Sequence, residues 1–280
     1  MSQIIPTAEP FFFPGKSRSA PGCLLIHGFT GAPKEMRWMG EYLARRGFSV
    51  LGVRLTGHAT RPEDMIRSRY TDWIASVEDG YHLLRGAAER IFLIGLSMGG
   101  GLSLLMSTRL DVAGVVAMST PYKLPDDPRL RFIRQIAWFV RCMPKNEKGA
   151  PPDKGWFETD SWEQHVAYPE NPVRSIAELL LLLEEMRLAL PKVRVPVLLI
   201  QSRDDDYFVR EGMPCIHERL GTSDKTMQWI EGSGHVITEE PKRQQVFKAA
   251  ADFIRRVSAL TAEHAKSAEI KSGKKAPRLR

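Results

Sequence analysis

Gly95-Leu96-Ser97-Met98-Gly99 sets a serine between two glycines directly behind the apolar run Ile91–Leu96, with two more glycines following at 100 and 101. Such a serine can attack a carbonyl carbon if the strand turns sharply into a helix and lifts the hydroxyl to the helix N-terminus. The glycines fit that geometry, because so tight a reversal leaves no room for side chains beside the serine. A glycine-rich turn with a passive serine is the competing reading. The two differ in what the rest of the chain must contain, since a serine hydroxyl is a poor nucleophile until a neighbouring base removes its proton.

After a serine of this kind the chain order is an acid and then a histidine. Of the seven histidines, His82 falls within a predicted helix, His165 in a Pro-punctuated middle segment, His217 in a helix beyond the acid region, and His264 near the end of the chain. His27 precedes Ser97 and reads as a structural loop residue. His235, in Gly232-Ser233-Gly234-His235, follows the last predicted strand on a glycine loop that can carry an imidazole to a sheet edge. It is the expected base. The acid should follow the strand Pro196–Ser202, where Asp204, Asp205 and Asp206 stand side by side, and pattern alone leaves them tied. Asp126, in a Pro-rich stretch behind the preceding strand, is a distant rival.

Acyl transfer also needs donors for the oxyanion, usually two backbone N–H groups. Met98, the residue after the serine, supplies one. The loop His27-Gly28-Phe29-Thr30-Gly31, behind the first parallel strand, nominates Phe29 for the other.

The elements that must position these residues can be read from periodicity. From residue 22, short apolar runs alternate with amphipathic stretches of helical length, the pattern of an α/β fold with a mostly parallel sheet flanked by helices. Pro33 opens a helix that Gly47 stops, and Thr71 or Asp72 is available to cap the next. The alternation lapses at Pro121 and resumes near Val195, so residues 121–190 read as a helical cap inserted into a core made of 22–120 and 191–258. Residues 1–21 read as an N-terminal segment and 259–280 as a basic, disordered tail. Phe132, Ile133, Ile136, Phe139, Val140 and Met143 form one stripe of an expected cap helix over Arg131–Met143. Packing against the core accounts for the stripe, and one end of it, Ile136 and Phe139, could line an acyl pocket.

At 280 residues with 43 % hydrophobic and 26 % charged side chains, the chain has the composition of an ordinary folded domain. The net charge of +7 is concentrated at the end, where residues 265–280 carry six basic side chains against one acid. Such a run reads as a solvated tail, so no nucleic-acid partner is expected. Three scattered cysteines make neither a disulfide framework nor a zinc site. The first twenty residues lack a basic start and are broken by Pro6, Pro10 and Pro14, so neither a signal peptide nor a membrane span fits. A cytoplasmic protein is expected.

With these pieces in place, the sequence resembles the bacterial monoacylglycerol lipases and small thermostable carboxylesterases of the α/β-hydrolase superfamily over about residues 22–257. The similarity is densest in HGFTGAPKEMR, GHATRPEDM, DWIASVEDGY, GLSMGG and SGHVIT. The resemblance implies that the catalytic acid is the fifth residue of the segment beginning at Gln201, which is Asp205. It also makes Glu170, in Tyr168-Pro169-Glu170-Asn171-Pro172, a candidate head-group contact. The family's usual Gly-His-Gly is Gly57-His58-Ala59 here, implying a slightly different loop backbone, with His58 structural.

The expected activity is hydrolysis of fatty-acyl esters through an acyl-enzyme on Ser97, with monoacylglycerol the leading substrate and no metal or organic cofactor. The expected partner is a small acyl ester, and transient contact with lipid aggregates would follow from such a substrate. The alternatives are a carboxylesterase for shorter chains and a hydrolase-fold protein that binds ligand without turnover.

Overall fold

The computed structural model describes residues 3–145, 155–207 and 211–271, and for 261–271 the backbone alone. Seven strands form the main sheet: β1 (Phe11–Phe13), β2 (Gly22–Ile26), β3 (Ser49–Val53), β4 (Ile91–Leu96), β5 (Gly114–Met118), β8 (Val197–Ser202) and β9 (Lys225–Ile230). Their spatial order is β1-β3-β2-β4-β5-β8-β9, with β1 antiparallel to β3 and every other pair parallel. Strands β2, β4, β5 and β8 are buried along their whole length, which is why they read as unbroken apolar runs rather than alternating ones.

Between the strands run α1 (Lys34–Ala44), α2 (Pro62–Arg67), α3 (Tyr70–Arg85), α4 (Met98–Met106) and α8 (Gly212–Arg219), and α9 (Arg243–Lys271) closes the chain. Two apolar cores result, one on each sheet face. Trp73, Leu102, Leu182 and Met186 belong to the first, Met36, Leu43, Phe247 and Ile254 to the second. The strand order reverses direction between β2 and β4, whose ends Ile26 and Gly95 are register partners. A crevice opens outside the carboxyl ends of strands at such a reversal, and ligands bind there in open α/β sheets. The loop 27–31 and Ser97 both emerge at this point.

The insertion between β5 and β8 contains α5 (Ile133–Ile136), β6 (Cys142–Pro144), α6 (Thr159–Gln164), β7 (Glu170–Pro172) and α7 (Val173–Ala189). Residues 146–154 of the expected cap lie outside the described residues. The helix expected over Arg131–Met143 is not one helix: a 3-10 turn at Pro128–Phe132 leads into the four residues of α5, and β6 then pairs with β7. Trp138, Phe139 and Val140 have weak helix propensity and Pro144 follows, so pairing between distant segments prevails over the local stripe.

Three other expectations change. Phe11–Phe13 in the N-terminal segment joins the sheet as an edge strand, where flanking prolines are tolerated, and the Phe11 ring lies where a Cβ on Gly52 would stand, 2.2 Å away. The residue capping α3 is Arg69, and Asp72 serves one turn later, accepting the Arg69 N–H at 2.8 Å. Helix α9 continues through the first half of the segment expected as a disordered tail; 272–280 lie outside the described residues. Among the described residues no helix is long and apolar enough to cross a membrane.

Candidate active site

Ser97 occupies a one-residue turn between β4 and α4 with φ +55° and ψ −118°. Its N–H donates to Met118 O at 2.7 Å, continuing the β4–β5 ladder, while its carbonyl accepts Gly100 N–H at 2.9 Å, starting the helix. The same residue ends the strand and caps the helix, and that forces the left-handed backbone. The glycines are required by crowding. A Cβ on Gly95 would lie 2.0 Å from Gly99 O, one on Gly99 2.2 Å from Ile26 O, and one on Gly100 1.9 Å from Thr120 Oγ1. Met98 begins α4, where a backbone N–H has no intrahelical acceptor.

The loops behind β8 and β9 are laced together, and the three aspartates separate in role. Asp204 Oδ2 accepts Gly232 N–H at 2.7 Å. Asp205 Oδ2 lies 2.8 Å from His235 Nδ1 and its Oδ1 accepts Tyr207 N–H at 3.0 Å. The Asp206 carboxylate packs against Gly155. Asp205 and His235 are both buried. A carboxylate can only accept, so it fixes the His235 proton on Nδ1 and leaves Nε2 as the basic nitrogen. The Tyr207 ring stacks on the imidazole, centroids 5.0 Å apart.

The loop 27–31 is fixed from both sides. His27 Nε2 accepts Leu55 N–H at 3.2 Å, so Nδ1 carries the proton and donates to Gly28 O at 2.9 Å. Burial pushes the His27 pKa down to about 4, which keeps the ring neutral and its tautomer constant. In a trans peptide the C=O and the following N–H point in opposite directions. Turning Gly28 C=O toward His27 therefore turns Phe29 N–H the other way. A Cβ on Gly28 would stand 3.4 Å from Ser97 Cβ, so this loop lies directly against the serine. His58 is buried with its ring edge toward His27 and Trp73, and burial holds its pKa well below the usual imidazole value.

Backbone strain gathers here. Thr30 (φ +60°), Ala59 (φ +57°), Ser97 (φ +55°) and Ser119 (φ +46°) follow β2, β3, β4 and β5 in turn. Ala59, the last residue of the Gly-His-Ala departure, has a left-handed backbone that a side chain strains and a glycine would not.

The three candidate substrate contacts all lie in the insertion between β5 and β8. Glu170 is exposed on β7, paired with Pro144; Ile136 packs half-buried with Ile133, Val173 and Ala177; Phe139 is 87 % exposed. Sequence reasoning missed the buried Glu35 and Glu239 and the half-buried His165 between them, beside the loops just described. The glutamates look like ordinary helix and loop polar residues until burial is known. Among the described residues no group of three or more His, Cys, Asp or Glu is placed to hold a metal.

Glu240, five residues after His235, accepts Phe157 N–H at 3.1 Å through Oε2, and its Oε1 is buried. Burial raises its pKa from 4.5 to about 7. A carboxyl raised on folding contributes stability that is fully present below pH 4.5 and lost as pH climbs through 7. The loss is about 3 kcal/mol, because the side chain is fully buried and nothing screens it. Denaturant unfolding of Glu240→Gln between pH 5 and 8 is expected to show that decline flattened; a decline as steep as in the unaltered protein would contradict it.

Known proteins with the same architecture were found in sequence and in structure. A carboxylesterase of Bacillus subtilis is 29 % identical over 252 residues, spanning 90 % of this chain and 98 % of that protein. A thermostable monoacylglycerol lipase of a Bacillus species is 30 % identical, spanning 89 % of this chain and 95 % of its own. A solved structure from work on the metagenome-derived lipolytic enzymes LipS and LipT superposes with a TM-score of 0.81 at 31 % identity, covering 91 % of this chain and all of that one. The monoacylglycerol lipase of Paleococcus ferrophilus shares the fold at 20 % identity and a TM-score of 0.73, covering 89 % of this chain and 98 % of its own. Residues 18–242, most of the chain and a span that includes Ser97, Asp205 and His235, match one family along their length: the protein belongs to the Hydrolase_4 family, described as serine aminopeptidase, S33, within the α/β-hydrolase fold.

Proposed function

We propose that the protein hydrolyses carboxylic esters of fatty acids, with monoacylglycerol its leading substrate. The observation that carries this reading is the buried Asp205–His235 pair, Nδ1 to Oδ2 2.8 Å, on a loop that reaches the edge where Ser97 turns. His235 Nε2 takes the Ser97 proton as the hydroxyl attacks the ester carbonyl, and Asp205 stabilises the imidazolium that forms. Phe29 and Met98 N–H groups hold the tetrahedral oxyanion. The imidazolium then protonates the departing alkoxide, and water, deprotonated by His235, releases the acid from Ser97.

The two Bacillus relatives, one named for monoacylglycerol and one for carboxylesters, support ester substrates for this chain. Residues 121–190 serve as the cap over the core and set the choice of acyl chain. Its edge exposes Phe132, Trp138 and Phe139 beside Arg131 and Arg134, a combination suited to transient contact with lipid aggregates. The site of action is the cytoplasm.

Labelling with a fluorophosphonate probe and turnover on p-nitrophenyl esters of graded length, and on mono-, di- and triacylglycerols, test the reading. Labelling at Ser97 with a maximum at medium or long chains and a preference for monoacylglycerol is expected. A preference for acetate or butyrate esters would instead favour the short-chain carboxylesterase, and folded protein that resists labelling would favour a binding protein.

A further inference from the structure

Outside the proposed triad, the buried Glu35 and Glu239 are bridged by the half-buried His165. Glu35 stands in the first turn of α1, where a carboxylate is favoured by the helix N-terminus. Its Oε2 accepts Gly28 N–H at 2.8 Å, and its Oε1 fills the place of a Cβ on Gly31, 2.0 Å away. The turn 28–31 is therefore wrapped around this carboxylate. His165 comes from the cap, with Nε2 3.9 Å from Glu35 Oε1 and Nδ1 2.7 Å from Glu239 Oε2. Glu239 is four residues beyond His235, so one imidazole joins the segment that holds the loop behind β2 to the segment behind β9.

The neighbouring cap backbone repeats the attachment. Tyr168 N–H donates to Thr30 O at 2.9 Å, and its hydroxyl donates to Gly57 O at 2.7 Å. We propose that Glu35 is a positioning residue for the oxyanion loop, folding residues 28–31 so that Phe29 N–H faces the reacting carbonyl, and that His165, held by Glu239, keeps its carboxylate in place. The inference rests on the reading of Phe29 as an oxyanion donor in a serine esterase.

Charge supports the arrangement. Burial raises the Glu35 pKa, with the Glu239 charge adding to it and His165 and Lys145 opposing it. Burial alone would lower the His165 pKa, as does Lys145, but the hydrogen bond and charge of Glu239 and the charge of Glu35 outweigh both and raise it. His165 thus offsets part of the cost that burial sets on ionising Glu35, and the two glutamates favour the protonated imidazole. His27 fixes the carbonyl of the Gly28–Phe29 peptide and Glu35 the N–H of the His27–Gly28 peptide before it, so the two planes that meet at the Gly28 Cα are each held on one side, and freeing the first loosens the second.

The test measures kcat and KM on p-nitrophenyl butyrate, Ki for an alkyl trifluoromethyl ketone that forms an oxyanionic adduct with the serine, and Tm. Removing an oxyanion donor outright lowers kcat about 100-fold or more, so misaiming one through Glu35→Ala is expected to lower it about 30-fold. KM should stay within about twofold, and the ketone Ki should rise by the same factor as kcat falls. Glu35→Gln, whose amide oxygen still accepts Gly28 N–H, should remain within about fivefold of the unaltered enzyme, and His165→Ala should fall about tenfold. If Glu35→Ala does not fold, Glu35→Asp, which keeps the charge but withdraws the oxygen, reads the same quantity. Loss of Tm with unchanged kcat and Ki would overturn the proposal, as would a Gln variant no better than Ala. Unaltered protein that neither turns over the ester nor binds the ketone would overturn the esterase reading instead.

Discussion

Ser97→Ala is expected to lower kcat on p-nitrophenyl esters by roughly 10⁵-fold while leaving the folded structure intact. The hydroxyl makes no capping bond to α4, and the turn is held by main-chain bonds to Met118 and Gly100 and by the absence of side chains at Gly95 and Gly99. Alanine meets the same positive φ as serine, so the backbone strain is unchanged. What disappears is the only atom that can carry the acyl group, leaving the residual rate that oxyanion donors and binding supply. A burst titration of purified protein checks it, and a variant retaining one-hundredth of the turnover would remove Ser97 from the role of nucleophile.

Asp205→Asn should cost about 10⁴-fold in kcat, far more than the same change at either neighbour. An asparagine amide facing His235 Nδ1 donates to it, which places the imidazole proton on Nε2, the nitrogen that has to accept the Ser97 proton. Asp204→Asn retains an oxygen for Gly232 N–H and should fall within about tenfold of the unaltered enzyme, because only loop order is at stake. Asp206→Asn, at the cap contact with Gly155, should do less. Parallel kcat measurements on the three variants decide among the aspartates, and equal losses at 204 and 205 would sink the assignment.

The strands and the Ser97 turn were legible because their causes are local. Unbroken apolar runs mark fully buried parallel strands, and glycines crowded around one serine mark a reversal that nothing else in a sheet requires. Asp205 was not legible from pattern. The three adjacent aspartates are chemically alike, and they differ only in what each faces, Gly232, His235 or Gly155, a fact set by how the β8 loop meets the β9 loop and the insertion. The cap was least legible for the same kind of reason. The segment 131–143 has an apolar stripe of helical period, yet its second half joins β7 some thirty residues on, and no local signal records a partner at that distance. Glu35 and His165 look like ordinary polar residues on amphipathic segments; their burial depends on the cap lying against the core.

The left-handed residues at 30, 59, 97 and 119 line one edge of the sheet, where each stores about 1 kcal/mol that a relaxed backbone would release. The hydrophobic cores on either face carry no such load. Tension is thus gathered at the rim that carries the proposed chemistry, one strained residue at the end of each of four strands taken in chain order, so the scaffold holds its reactive edge away from the conformation that an isolated loop would choose.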